Sequence, residues 1–534
     1  MGKQLSRFST LNLNKVKQLR QFKIKYDNVR NLELLDRNKD YRVESFNEFK
    51  LKIDPSIFKI LTIWGRTRPT FNSDEAYLQN YSSLHYPKGK VAIVVNSGIY
   101  DAVRSSINQY VVDLAREGYF GLIYTVNGAS PSGLKNHLKS IIGLKGAVFV
   151  GNVPVAWFEM SDDFYGASSE FPCDLYYMDF NGNWTDPDGD GKFSSHTGNV
   201  QPEIWISRVW TPTDEGNNTQ QINEYFNRNH QFRVGLAGCS RTGLSLIDDD
   251  WEHFGDCSMD SFLPSVSIET ITNPAQTTGD RYKTEIQSTR GWATIGAHSS
   301  PNGHSFKKTG GSDWVPNTYL RDTRPPKAFF YNLYACSNTR FTSENFMGGW
   351  YIFDNPGGEQ CRGLAAVGST KTGSMLYFEN FYTPMGSGKV IGEAYKDWWI
   401  ALGPDHDLGE RQWFYGMNLL GDPTINWWTG AVPVQIGPLN ETVFNHFPRA
   451  TTFTWAAVPI SGVTYTIEVD AFGARNSGQW ATQTGEHWLV QSGITGTSFN
   501  HNFVGAQRGR WRVKANISGL NLPWSEWRYF RYTI

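Results

Sequence analysis

Between Val91 and Val150 three short apolar runs, Val91-Ala92-Ile93-Val94-Val95, Leu122-Ile123-Tyr124-Thr125-Val126 and Gly146-Ala147-Val148-Phe149-Val150, alternate with segments whose apolar residues recur at helical spacing. A short continuous apolar run bounded by turns is the mark of a strand buried on both faces, and a helix between successive strands forces a right-handed crossover. The first intervening helix carries Val103, Ile107, Tyr110, Val111 and Leu114, and Gly118 closes it. The second opens at Ser130-Pro131, a capping residue and a first-turn proline, and carries Leu134, Leu138 and Ile141. These alternations commit the chain to an α/β fold built on a parallel sheet.

The pattern resumes with Glu203-Ile204-Trp205-Ile206, a helix through Ile222 and Phe226, a run at Val266–Ile271, and runs at Trp292–Ala297, Ala328–Ala335 and Leu364–Gly368. A helix holding Ile391, Ala394, Tyr395 and Trp398 follows Gly388. Two sheets side by side, or one long sheet with a pseudo-repeat, would absorb all of these. Beyond Pro433 the helical period gives way to period two in Thr451–Trp455, Tyr465–Val469, Trp511–Ala515 and Tyr529–Tyr532, the pattern of an all-β sandwich. The expected organisation is an N-terminal extension over 1–88, α/β units over 89–235 and 236–432, and the sandwich over 433–534.

Two runs end in chemistry. One delivers Cys336 and the other His298, each at the carboxyl end of an expected strand, where open α/β sheets collect their ligands. A thiol becomes a useful nucleophile when a neighbouring imidazole takes its proton, and 38 residues leave room for one crossover between adjacent strands. Taken singly, a cysteine in an apolar run is more often inert core, and a lone histidine more often structural. Here both runs exit into small polar residues, Ser299-Ser300 and Ser337-Asn338. The other cysteines, Cys173, Cys239, Cys257 and Cys361, lack Cys-x-x-Cys spacing and read as buried inert thiols.

With 50 basic and 51 acidic residues the net charge is −1, so no field of one sign points toward nucleic acid or an anionic membrane. No stretch has the roughly 18 apolar residues of a membrane span. The first 30 residues lack the apolar segment of a secretory signal, which leaves open whether the chain works inside a cell or is exported after its signal is removed. Met1-Gly2-Lys3-Gln4-Leu5-Ser6 fits the short myristoylation pattern, which chance also produces often.

The ordered set Gly296-Ala297-His298-Ser299-Ser300, Ala335-Cys336-Ser337-Asn338, Gly368-Ser369-Thr370 and Leu420-Gly421-Asp422-Pro423-Thr424 resembles the gingipain-like cysteine peptidases, relatives of the caspase and clostripain group. Gly146–Pro154 and Asp174-Leu175-Tyr176-Tyr177 fall where that family carries similar runs. The resemblance spans about residues 89 to 428. It implies a caspase-like α/β fold of two subdomains with flanking helices, the second bearing the dyad, and peptide hydrolysis through a thioester. Cys336 would attack, His298 would manage the proton, and the N–H groups of Ser299 and Cys336 would hold the oxyanion. Ser299 stands where the family usually places Gly. Asp174 is the expected partner of the imidazole, and His304 is expected to shape the cleft. Gly296 and Tyr334 are expected to line the first pocket, with Trp350 or Met375 closing it. Relatives that cleave after Arg or Lys need an acid at the bottom of that pocket, and the sequence places none.

Asp186-Pro187-Asp188-Gly189-Asp190-Gly191-Lys192 sets carboxylates at alternate positions around turn glycines, as calcium loops do, although Thr197 stands where such a loop has its closing Glu. The family resemblance also implies calcium there. Asp36-Arg37-Asn38-Lys39-Asp40 has the same spacing without the glycine, and Asp248-Asp249-Asp250 is a third acidic cluster. Calcium is the one expected cofactor, with no organic group, and the expected partner is a protein or peptide substrate. Two rivals keep the fold: a silent scaffold that holds a polymer or partner through its aromatic sandwich, and an acyltransferase or transpeptidase using the same dyad. Family resemblance places such proteins outside the cell or on its surface.

Overall fold

The apolar runs become strands of a single eleven-stranded sheet. In chain order these are β1 (Phe49–Lys52), β2 (Gly89–Asn96), β3 (Tyr119–Val126), β4 (Leu144–Val150), β5 (Trp205–Val209), β6 (Gly243–Ile247), β7 (Ile268–Ile271), β8 (Arg290–Gly296), β9 (Ala328–Tyr334), β10 (Ala365–Ser369) and β11 (Met417–Gly421). Across the sheet the order is β1-β3-β2-β4-β5-β11-β10-β9-β8-β6-β7. The computed structural model describes residues 49–52 and 88–533, apart from 235–236, 238–239, 264–266, 309, 357–359, 427–431, 459–461, 474–477, 506–507, 517–521 and 523. The Asp36 loop, Cys239 and most of the expected N-terminal extension lie outside the described residues.

Apart from β1, which pairs antiparallel with β3 at one edge, the sheet consists of two parallel halves that run in opposite directions. Strands β3, β2, β4, β5 and β11 are mutually parallel, as are β10, β9, β8, β6 and β7. They meet at one antiparallel seam, where Ala365–Ser369 pairs with Met417–Gly421. Of the two arrangements the sequence left open, the molecule takes the single long sheet. The seam sends the carboxyl ends of the two halves to opposite edges. Chemistry from β8 and β9 therefore shares its edge with the amino ends of the first half.

Helices cover the sheet as their periodicity predicts. Tyr100–Arg116 buries Val103, Ile107, Tyr110 and Leu114, and Pro131–Ser140 starts at Ser130, whose side chain accepts the Gly133 N–H. Thr219–Arg233 is capped in the same way by Asn218. The Leu420-Gly421-Asp422-Pro423-Thr424 motif is structural. Asp422 is buried and accepts hydrogen bonds from Tyr110, Asn229 and Arg233, which ties two helices to the end of β11.

Beyond residue 433 two further sheets form. One joins Gln435–Gly437, Ala450–Trp455 and Ser498–Asn502; the other joins Thr442–Phe444, Arg528–Tyr532, Arg508–Asn516, Thr464–Ala471 and Leu489–Ile494. Their inward residues meet, with the Phe453 ring 5.1 Å from Trp511 and 5.8 Å from Phe530. Among the described residues no helix is long and apolar enough to cross a membrane.

Candidate active site

Three neighbouring strand ends lie in register. Ile247 at the end of β6 pairs with Gly296 at the end of β8, and Gly296 pairs with Tyr334 at the end of β9. Two residues beyond Gly296 stands His298, and two beyond Tyr334 stands Cys336. Parallel strands lie about 4.8 Å apart, so the exits are adjacent. The Ala297 N–H donates to Tyr334 O across this gap at 3.1 Å, which carries the pairing one step past the strand.

Cys336 is the half-buried member of the described cysteines, all of which are free. Burial pushes the Cys257 thiol up to about 12 and the Cys361 thiol to about 11, and raises Cys173 as well, so these three stay protonated and inert. The turn after Cys336 is held by the exit of β10: Ser337 N–H donates to Lys371 O at 2.7 Å and Thr339 N–H to Ser369 O at 3.1 Å. Ser337 sits at φ 53°, an uncommon conformation for a residue with a side chain and one that clusters at functional sites. Gly368 permits this close approach, because a Cβ there would lie 2.6 Å from Thr339 Cγ2. The Gly368-Ser369-Thr370 motif thus supports the cysteine turn.

The carboxylate against His298 belongs to Asp250. Its Oδ2 lies 2.6 Å from His298 Nε2, and its other oxygen takes the Lys307 ammonium. These partners, Lys307 first and His298 second, hold the Asp250 carboxyl below the usual range. Asp250 reaches the ring because Asp248, the residue after β6, donates its N–H to Gly296 O at 2.8 Å, which docks the turn Asp249–Phe254 on the β8 exit. Trp251 of the same turn packs 4.7 Å from the imidazole. With Nε2 engaged, Nδ1 has no hydrogen bond among the described residues, and the side chain is 45 % exposed.

Asp174 holds a different position from the one expected. It makes a forked ion pair with Arg208 of β5, at 2.7 to 3.0 Å, and both side chains are buried. Arg208 lies three strand spacings, roughly 14 Å, from the cysteine strand. The pair closes the interior of the first half.

Several expected pocket residues are also packed away. A Cβ on Gly296 would meet Ile247 Cδ1 at 2.8 Å, so this glycine serves strand packing. Tyr334 is buried against Trp251, Phe254 and Phe378, and Trp350 and Met375 are core residues. His304 is wholly buried, opposite Ser299 in a hairpin, and cannot line a cleft. Burial pulls its pKa down to about 3, so the ring stays neutral.

Of the acidic loops, Asp186 accepts the N–H groups of Gly189 and Gly191, an internal turn clasp. Asp188 and Asp190 converge instead with Glu159, their ligand atoms within 4.8 Å of one another. Lys192 points its ammonium at Glu170 and Asp190, at 2.6 and 3.0 Å, and supplies a local counter-charge. Asp248, Asp249 and Asp250 do not gather on one centre, since Asp248 accepts the Lys307 N–H and Asp250 faces His298.

Residues 125–428 match the model of peptidase family C25, the gingipain family. The chain belongs to this family. Both strand exits, the cysteine turn and the Asp250 turn fall inside the matched C25 region. A solved structure titled "Structure of Protease" is similar at 12 % identity and a TM-score of 0.47, over 84 % of this chain and 98 % of its own. No curated protein matches.

Proposed function

We propose that this C25 member is a cysteine endopeptidase in which Cys336 is the nucleophile, His298 the general base and acid, and Asp250 the carboxylate that orients the imidazole. The observation that carries this reading is the register row Ile247, Gly296, Tyr334, from which Asp250, His298 and Cys336 follow in that spatial order. His298 takes the thiol proton. The sulfur attacks the peptide carbonyl, whose π electrons move onto oxygen, and the N–H groups of Ser299 and Cys336 receive that charge. Collapse expels the amine, which takes its proton from His298 and leaves a thioester on Cys336. Water, losing its proton to His298, then attacks the thioester and releases the carboxylic acid and the thiol.

The deciding experiment is turnover of a mixed peptide library by wild type and Cys336→Ala. The variant should be inactive with a nearly unchanged melting temperature, and the cut sites should report the pocket's preference. Turnover that survives the substitution would end the reading.

The same proposal gives Asp188, Asp190 and Glu159 to a divalent cation such as calcium. Hard oxygen donors converging from two segments fit such an ion. Glu159 fits it as well: desolvation, then Asp190 and Asp188, raise its pKa, a crowding that a cation relieves. The residues beyond 433 are assigned the role of an accessory β module resembling fibronectin type III.

A further inference from the structure

We propose that a buried relay of side chains, Ser299–His304–Tyr351–Tyr282, fixes the His298–Ser299 peptide for oxyanion binding, which makes Ser299, His304 and Tyr351 positioning residues for amide hydrolysis by the dyad proposed above.

Ser299 follows the dyad histidine directly, on the first strand of the hairpin that leaves β8. A side chain at this position cannot use the backbone freedom of glycine, so its own contacts decide where the peptide points. Those contacts form a continuous line. Ser299 Oγ lies 3.2 Å from Ala297 O and 2.6 Å from His304 Nδ1. His304 Nε2 lies 2.8 Å from the Tyr351 hydroxyl, which is 2.6 Å from the Tyr282 hydroxyl. His304, Tyr351 and Tyr282 are wholly buried.

Among the described groups, one proton order satisfies the whole line. Tyr282 O–H donates to Tyr351, Tyr351 O–H to His304 Nε2, His304 Nδ1–H to Ser299, and Ser299 O–H to Ala297 O. A second proton on His304 would turn both tyrosines round and leave the Tyr282 hydroxyl donating to nothing among the described residues, at the cost of an unsatisfied buried donor. The depressed pKa of His304 agrees with the neutral order. Tyr282 is rooted in the helix Gly279–Glu285, and Tyr351 in the turn Gly349–Tyr351. The relay therefore ties the hairpin to two separate elements. Rotation of the His298–Ser299 peptide would break its first bond, so the N–H is held in one direction while the neighbouring imidazole stays half-exposed.

The test compares Ser299→Ala, Ser299→Thr and Tyr351→Phe in peptide hydrolysis and in alkylation of Cys336 by iodoacetamide. Alkylation joins sulfur to carbon as iodide leaves with its electron pair, and it develops no oxyanion. Ser299→Ala and Tyr351→Phe should each lower kcat about tenfold or more at a KM within about twofold of wild type. Their alkylation rates should match wild type, and Ser299→Thr, which keeps the hydroxyl, should retain kcat. Unchanged kcat in both disrupting variants, beside an inactive Cys336→Ala, overturns the relay alone. A parallel fall in kcat and alkylation also overturns it, because the damage then lies at the dyad or the fold. Wild-type protein without Cys336-dependent turnover overturns the dyad reading and the relay's role with it.

Discussion

Beside each half of the sheet a histidine lies against an aspartate, His298 with Asp250 and His196 with Asp179, and these two pairs behave differently. Beside the second half His298 meets Asp250 at 2.6 Å, with side chains 45 % and 33 % exposed and the ring's other nitrogen unengaged among the described residues. Beside the first half His196 meets Asp179 at 2.9 Å, and both side chains have zero exposure. Trp184 stacks on that ring at 3.7 Å, and Tyr415 O–H reaches Nδ1 at 2.8 Å, so both nitrogens are taken. Burial lowers the pKa of His196 against the opposing pull of Asp179. Desolvation alone would raise Asp179, but hydrogen bonds from His196, the Gly182 N–H and Trp184 outweigh it, and the carboxyl ends below its usual range. An imidazole–carboxylate pair is therefore no site in itself. What distinguishes the second pair is an open nitrogen beside a strand exit that holds a thiol.

Exchanging the two histidines for alanine probes this contrast most strongly. His298→Ala should lower kcat/KM at least about a hundredfold, the usual worth of a positioned general base, with little change in melting temperature. His196→Ala should do the reverse. It leaves a cavity under Trp184 and a buried carboxylate without its main donor, for a loss of about 3 kcal/mol or more of stability, while the folded fraction keeps its activity. Denaturation curves and turnover per folded molecule separate the two, and equal losses of specific activity would erase the distinction.

The carboxylates extend it at smaller amplitude. Asp250→Asn keeps the shape but offers an amide to the ring, and kcat should fall about tenfold or more at steady melting temperature. Asp174→Asn weakens the only charged partner of the buried Arg208 among the described residues and should cost about 3 kcal/mol, without changing the chemistry of the folded enzyme. A kcat effect confined to Asp174→Asn would return that residue to the catalytic role that its place in the sequence suggested.

That His298 faces Asp250, while Asp174 pairs with Arg208, shows where the sequence is legible. The strand exits at Cys336 and His298 can be read because each ends a long apolar run, and such runs report burial directly. Gly243–Ile247 ends in the same way, in Asp248-Asp249-Asp250, but it is five residues long and interrupted by Ser245, so the acidic triplet reads as a cation cluster. The seam between β10 and β11 is illegible for another reason: apolarity fixes that a strand is buried, and says nothing of its direction. His304 is hidden by register, because a hairpin turning at Ser300–Gly303 can place it opposite Ser299 or on the solvent face, and only packing against Tyr282 and Tyr351 decides. The motifs at Gly368 and Asp422 are visible as patterns, yet their causes are tertiary: a close approach to Thr339 and a buried junction with Arg233.

The smallest expected effect concerns the acidic loop of the first half. If that half serves stability, calcium bound by Asp188, Asp190 and Glu159 should raise the melting temperature and leave kcat unchanged. An ion at about ten times its dissociation constant adds about 1.4 kcal/mol. Asp188→Asn combined with Asp190→Asn should abolish the response to added calcium and to chelator. Asp186→Asn, which replaces the carboxylate clasping Gly189 and Gly191, should lower stability whether or not the ion is present. A chelator that lowers kcat and leaves the melting temperature alone would place the ion's effect on the chemical edge, and the division of labour between the two halves would fail there.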